Sequence, residues 1–464
     1  MTNNGKKTIL LLSDDMRMTS GIATMSREFV IGTVDKYNWV QLGAAINHPE
    51  KGKEFDLSDD VKKQTGVEDA FVRVIPWDGY GDADILRHLM MRYRPDAILH
   101  FTDPRYWRWL YDIEAEIRQE IPIFFYHIWD DLPDPDYNRD YYESCDWLGC
   151  ISRQTYGIVN RIGKYESSTI TPLKDWQVSY VPHGINPDVF KKVDVPEDFK
   201  QQAFGGKDFE FTLFWMNRNI KRKQPSDVIW AFKMFVDGLP EAEREKVCLL
   251  MHTAPIDQNG TDLVAVKNKI APDCNVFFST TRVDQKHLNY IYNLADVTIN
   301  IAGNEGFGLT TAESLMAGTP TIVAVTGGLQ DQVGFKWKET GEYLTPEDYI
   351  KIGSLHDYRL WEDKVDPSPW CKPVWPRVQT MVGSIPTPYI IDDKVDIVET
   401  AQAIREWYDT PKEERIKAAA QGREWMLNEG GLHSKNMCDT LTAGMERAWS
   451  EWKPKKRLEL FKIA

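Results

Sequence analysis

The chain has 464 residues, 42% of them apolar and 27% charged, with a formal net charge of −14. That length exceeds one ordinary hydrophobic core, and the composition is that of a globular enzyme of two or three domains. The acidic balance argues against a broad duplex-DNA footprint or an anionic membrane surface, and no run of about 18 apolar residues exists to span a bilayer.

The first apolar stretch, residues 8–12, is too short for the core of a secretion signal and reads as a buried strand. A cytoplasmic location is the expectation. The six cysteines at 145, 150, 248, 274, 371 and 438 agree with reduced thiols, because none stands in a Cys-x-x-Cys and no Cys/His group has zinc spacing. Onward from there, residues 8–13, 39–43, 97–102, 123–127, 147–151 and 177–181 read as strands. Several are near-continuous apolar runs, as in strands covered on both faces. Residues 22–30, 85–93 and 115–120 read as helices between them.

Val181-Pro-His-Gly-Ile-Asn-Pro-Asp-Val-Phe190 breaks the alternation with two prolines and a glycine, which marks a connector. A second series follows, with strands expected at 209–216, 247–252, 275–278, 297–301 and 321–324. Helices are expected at 226–235, 263–270, 286–293 and 310–317. The alternation predicts an α/β fold with parallel sheets. Residues 335–393 hold Trp361, Trp370 and Trp375, several prolines and little periodicity. This stretch of about sixty residues reads as a long insertion, of the kind that forms lids or binding loops. Helices are expected again at 395–408, 411–428 and 434–452. The domain division expected is 1–185, 186–440 carrying the insertion, and a C-terminal helix and tail, 441–464, that crosses back to the first domain.

The strongest chemical signal is Glu305-Gly-Phe-Gly-Leu-Thr-Thr-Ala-Glu313, just after a predicted strand. Its glycines let backbone approach a ligand, and the following helix offers free N–H groups to an anion. Glu305 and Glu313 suit a ligand with a phosphate centre and hydroxyl-rich ends, since carboxylates accept from hydroxyls. The plain alternative is a capping box, Thr310-x-x-Glu313, followed by an ordinary stop at Gly318 and Pro320. Arg218, Lys221, Arg222 and Lys223 form a basic cluster near a helix start, where cations oppose the macrodipole and an anionic ligand would relieve them. That cluster also reads as a solvated helix start. No Asp-x-Asp stands in a convincing metal-binding turn; Asp134-Pro-Asp136 lies in a proline-rich loop.

The block from Glu305 to Gly318, with Ala295-Asp296 upstream and Pro320 and Gly327-Gly328 downstream, resembles the E-x7-E region of family 4 retaining glycosyltransferases. Asn217-Arg218 through Lys223 is similar to that family's Arg…Lys element. Val181-Pro-His-Gly resembles its interdomain connector, Phe125-Tyr-His127-x-x-Asp130 its histidine-bearing strand end, and Ser20-Gly21-Ile22 its first glycine turn. The resemblance implies a GT-B fold, two Rossmann-like domains facing across a cleft. It also implies transfer of a sugar from a nucleoside diphosphate to an acceptor hydroxyl with retained configuration. UDP- and GDP-sugars lead, and neither metal nor resident cofactor is expected.

The resemblance assigns roles residue by residue. Glu313 receives the ribose hydroxyls, and Glu305 contacts the transferred sugar. Backbone of Gly306, Phe307 and Gly308, with Leu309, faces the sugar and diphosphate. Arg218 and Lys223 neutralise the leaving group, and His127 shapes the reacting centre. Gly21, His252, the stretch 281–283 and Gly328 are the weaker donor-side expectations. His127 and His252 also read as ordinary strand-end histidines, and Gly21 as a turn glycine. In this scheme the leaving phosphate deprotonates the acceptor. Rival readings are a nucleotide-sugar epimerase, a sugar phosphorylase and a non-catalytic sugar- or nucleotide-binding protein. The acceptor stays open among glycan, lipid, metabolite, protein and modified nucleic acid, and the long insertion departs from the family. The basic stretch Lys453-Pro-Lys-Lys-Arg457 reads as a solvated helix end.

Overall fold

The computed structural model describes residues 4–164, 172–351 and 359–456. Eight strands build the first sheet: β1 (Lys7–Asp14), β2 (Tyr37–Ala44), β3 (Phe55–Asp56), β4 (Val72–Pro76), β5 (Ala97–Phe101), β6 (Ile123–His127), β7 (Trp147–Cys150) and β8 (Val178–Tyr180). Their order is β3-β4-β2-β1-β5-β6-β7-β8, parallel throughout except for β3. Central β1 explains itself: Ile9-Leu-Leu-Leu12 is fully buried, apolar on both faces, as a strand covered by two helix layers requires.

The second sheet begins with β9 (Phe211–Met216), β10 (Val247–His252), β11 (Val276–Ser279), β12 (Val297–Asn300) and β13 (Thr321–Ala324). After the short ladder β14 (Lys336–Trp337) and β15 (Val365–Asp366) comes β16 (Cys371–Val374), which pairs in parallel with β13. The order is β11-β10-β9-β12-β13-β16. Strands β17 (Pro376–Ser384) and β18 (Thr387–Val395) then form a separate antiparallel hairpin.

This corrects the reading of 335–393 as an irregular insertion, since part of it completes the main sheet. Its tryptophans are also structural: Trp361, Trp370 and Trp375 are buried. Trp370 packs on Trp425 at 5.1 Å and donates from Nε1 to the Gln332 carbonyl. Elements that the sequence reading left out include β3, β4, the helix Ser58–Thr65, the helix Arg153–Gly163 and the helix Glu197–Phe204.

The last helix, Ser434–Glu451, lies on the first domain. Trp449 packs on Phe124 and Tyr37, and Glu446 accepts from Tyr37 Oη at 2.8 Å and Lys7 Nζ at 2.7 Å. Gly444 lets the helix seat on Trp147; an added Cβ would lie 2.3 Å from that ring. The hairpin makes a further bridge, with Ile391 N–H donating to the Leu132 carbonyl and Tyr389 packed on Tyr137. All six cysteines are buried and free. No helix among the described residues is long and apolar enough to cross a membrane.

Candidate active site

Both sheets change direction at their central strands. β2 and β5 flank β1, and β10 and β12 flank β9. Ligands of open α/β sheets bind beyond the carboxyl ends of strands at such switch points. The two carboxyl ends face one another here and enclose a cleft of about 1160 Å³.

On the second domain the floor is the turn from β12 into the helix Leu309–Ala317. Gly308 takes φ +88° at the helix N-cap and supplies no side-chain cap, so first-turn N–H groups stay open toward the cleft. Thr310 does not act as the cap: its Oγ1 donates to the Met216 carbonyl at 2.9 Å. The capping-box alternative is thus set aside by the geometry. Gly327 and Gly328 lie directly beneath the loop. Gly328 N–H donates to the Glu305 carbonyl at 2.8 Å, and an added Cβ would stand 2.2 Å from the Gly306 carbonyl oxygen. Gln332 Nε2 donates to the Phe307 and Gly308 carbonyls at 2.6 and 2.9 Å. The loop is therefore held rigidly from below, with its N–H side free.

The two glutamates have opposite environments. Glu313 is buried at the cleft wall and accepts from Tyr292 Oη at 2.7 Å. Burial, outweighing the Tyr292 hydrogen bond, pushes its carboxyl up to about 7. Glu305 is half-buried, and Lys223 and Arg222 outweigh the cost of its desolvation and hold its carboxyl below the usual range. Lys223 Nζ donates to Glu305 Oε2.

The structure brings Gly21, Arg218, His252, Glu305, Gly306, Phe307, Gly308, Leu309 and Glu313 to the cleft lining. Gly21 opens the helix Gly21–Gly32, capped by Ser20, and comes across to Leu309; a Cβ there would lie 3.2 Å from Leu309 Cδ1. Arg218 stands at the rim, paired with Asp257 at 3.0 Å. His252 is fixed by Ser279 at 2.9 Å. Arg282 and Val283, from the stretch at 281–283, line the same end.

Three expected residues lie elsewhere. Lys223 is buried beneath the cleft as the counter-ion of Glu305. Gly328 lies below the loop, as described. His127 faces the opposite side of its sheet, fully buried, with Nε2 2.8 Å from Tyr142 Oη and its ring against Phe125. Burial pushes it down to about 3, so it is neutral. A direct contact between His127 and the sugar does not fit this placement. The neighbouring Tyr126 lies on the other face of the sheet, fully buried, and hydrogen-bonds His183 Nδ1 at 2.8 Å. His183, from the connector, lines the cleft and packs on Phe307 at 5.3 Å.

Arg222 and Asp130 also line the cleft and were not given roles from the sequence. Arg222 was visible only as one of a basic cluster, and Asp130 only as the end of the histidine motif. Among the described residues, no three His, Cys, Asp or Glu side chains are grouped to hold a metal ion. Asp134 is paired with Arg161 and Asp136 with Arg139.

Residues 196–350 match the family model of glycosyl transferases group 1. That segment holds the Arg…Lys element, the Glu305–Glu313 block and the strands β9–β13 beneath them. A trehalose synthase of Rubrobacter xylanophilus is 30% identical over 124 residues, a stretch that is 26% of this chain and 29% of that protein. Among solved structures, sucrose-phosphate synthase of Thermosynechococcus elongatus superposes with a TM-score of 0.65 at 15% identity, covering 96% of this chain and 100% of that one. Anabaena HepE in complex with UDP and glucose superposes at 0.61 and 11% identity, covering 95% and 99%. The fold is GT-B, as the resemblance implied.

Proposed function

We propose that the protein is a retaining glycosyltransferase that moves a sugar from a nucleoside diphosphate to an acceptor hydroxyl. The observation that carries this is the floor of the cleft: an uncapped helix N-terminus and a glycine cradle, flanked by Glu305 and Glu313, at the switch point of a GT-B donor domain. Free N–H groups and a helix dipole suit a diphosphate whose negative charge grows as the sugar–phosphate bond breaks. Of the arginines lining the cleft, Arg27, Arg218, Arg222 and Arg282, the two assigned to that charge are Arg218 and Arg222. Glu313 receives the ribose hydroxyls and Glu305 those of the sugar. Lys223 keeps Glu305 ionised for that contact. UDP-sugars lead as donors, in keeping with UDP in the HepE complex.

The scheme asks for no metal and no protein nucleophile. The acceptor attacks from the face that the diphosphate leaves. The direct test is UDP titration of Glu313→Ala. Affinity should fall while thermal unfolding stays cooperative; unchanged affinity would remove Glu313 from the ribose site.

A further inference from the structure

The acceptor side of the cleft is built at the carboxyl ends of the first sheet. Ser20 lines the donor cleft, and its Oγ donates at 2.8 Å to Oδ2 of Asp14, the last residue of β1. Beyond Asp14, the segments that follow β4 and β5 bring Tyr80 and Tyr106 together. Their rings stack with centroids 4.6 Å apart and an interplanar angle of 10°. Burial first, then neighbours that include Asp14 and Asp103, push the Tyr80 hydroxyl up, so the ring pair and both acids share one neighbourhood. The stack is held from behind. Trp107, fully buried, meets Tyr80 edge-on at 5.8 Å, and Trp109 Nε1 donates to the Tyr80 carbonyl at 3.2 Å. Tyr106 itself is 57% exposed. A supported aromatic face open to water beside a cleft is a surface on which a sugar ring can stack.

The charges around it are paired or negative. Arg17 grips Asp15 with Nε at 2.9 Å and Nη2 at 2.6 Å. Arg105 grips Asp103 in the same two-pronged way and lies over the Trp129 ring at 4.8 Å. Asp130 pairs with Arg222 of the other domain at 3.6 Å. Arg27 gives Nη1 to the Met16 carbonyl and has the Glu28 charge beside it. Asp14 has no basic partner among the described residues. It is a half-buried carboxyl that burial pushes up, with the Ser20 hydroxyl as its donor. Such a rim disfavours a phosphate and offers acceptor oxygens to hydroxyls.

We propose that the acceptor is an uncharged saccharide, one ring of which stacks on Tyr106 while Asp14 accepts from its hydroxyls. The proposal rests on the transferase reading and narrows its acceptor. A saccharide carries both things that this rim matches, an apolar C–H face and a fringe of hydroxyl donors. A phosphorylated sugar or a polynucleotide would bring phosphates to a rim of carboxylates.

The test uses the nucleoside diphosphate sugar that wild-type protein hydrolyses. Transfer is measured to maltose, cellobiose and sucrose, to glucose 6-phosphate, and to a DNA duplex carrying hydroxymethylcytosine. A neutral disaccharide should exceed glucose 6-phosphate by about tenfold or more in kcat/KM. Tyr106→Ala should raise the KM for that disaccharide about tenfold and bind UDP as wild type does, and Tyr106→Phe, which keeps the ring, should return the KM to within about twofold of wild type. Preference for the phosphorylated sugar or the duplex overturns the proposal, and so does hydrolysis without transfer to any neutral sugar. A KM unchanged in Tyr106→Ala, or UDP binding lost with it, overturns it as well. Wild-type protein inert toward every donor would instead sink the transferase reading, and this proposal with it; the hydrolysis control tells the two failures apart.

Discussion

Replacing Glu313 by glutamine separates the cost of burying a carboxylate from its service to the nucleotide. In the unfolded chain this carboxyl titrates near its ordinary value of 4.5; in the folded protein burial, aided by the nearby Glu28 charge, raises it to about 7. Below the lower value the group is neutral in both states. Between the two the folded protein holds a proton that the unfolded chain has lost, so stability falls as pH rises through that window. At about 1.4 kcal/mol per tenfold change in the protonation equilibrium, the full penalty is at most about 3 kcal/mol by pH 8. Glutamine keeps the shape and can still accept the Tyr292 hydrogen bond, without a charge to bury. Urea unfolding across this pH range should therefore show Glu313→Gln gaining on wild type, by about 3 kcal/mol at most, as pH rises. The same variant should bind UDP about tenfold more weakly at pH 8, since a hydrogen bond to a charged group contributes about 1.5–3 kcal/mol. A stability difference that does not change with pH, or that favours wild type increasingly at high pH, refutes the reasoning.

The same carboxyl predicts that UDP binding tightens as pH rises from about 6 toward 8, with proton release on binding, because ribose hydroxyls donate to the ionised form; calorimetry in buffers of different ionisation heat checks it, and a pH-independent affinity contradicts it. Lys223→Ala leaves the half-buried Glu305 without its main counter-ion, with Arg222 still near it, and should cost about 3 kcal/mol in unfolding free energy. Arg218, with its side chain 64% exposed, should cost under about 1 kcal/mol when replaced by alanine yet lower turnover; equal destabilisation by the two would contradict the placement. Gly328→Ala drives a methyl group into the Gly306 carbonyl and the Phe307 backbone. It should weaken UDP binding while leaving the fold intact, and an unchanged affinity would show that the cradle is not held from below.

Much of the fold was legible because the strands at both switch points are plain apolar runs. Ile9-Leu-Leu-Leu12 and Val247-Cys-Leu-Leu-Met251 are buried to near completeness, so little but a covered parallel strand suits them. The Glu305–Glu313 block was legible because glycines between a strand and a helix restrict what the backbone can do there. The histidine was not. In a strand, neighbours point to opposite faces, so a motif naming Tyr126 and His127 together leaves their sides to the sheet's pairing. The structure turns Tyr126 to the face that holds His183, and His127 to the other face, against Tyr142. β16 was hidden by Pro373, which interrupts the apolar pattern but is tolerated on a sheet-edge strand. The helix Arg153–Gly163 escaped because its buried face is partly polar. Arg153 and Gln154 are buried at the contact between domains, where Arg153 N–H donates to Asp331 and Gln154 meets Gln330. Arg222 and Asp130 gain their meaning only when two loops, about ninety residues apart in sequence, meet across the cleft, a juxtaposition that local pattern does not encode.

The most direct test of the central claim is a hydrolysis and thermal-shift screen of the wild-type protein against a panel of nucleoside diphosphate sugars, with EDTA present throughout. The account predicts that one donor, a UDP-sugar first among them, stabilises the fold and is slowly cleaved to free sugar and nucleoside diphosphate. Silence across the panel, or cleavage abolished by EDTA, would contradict it.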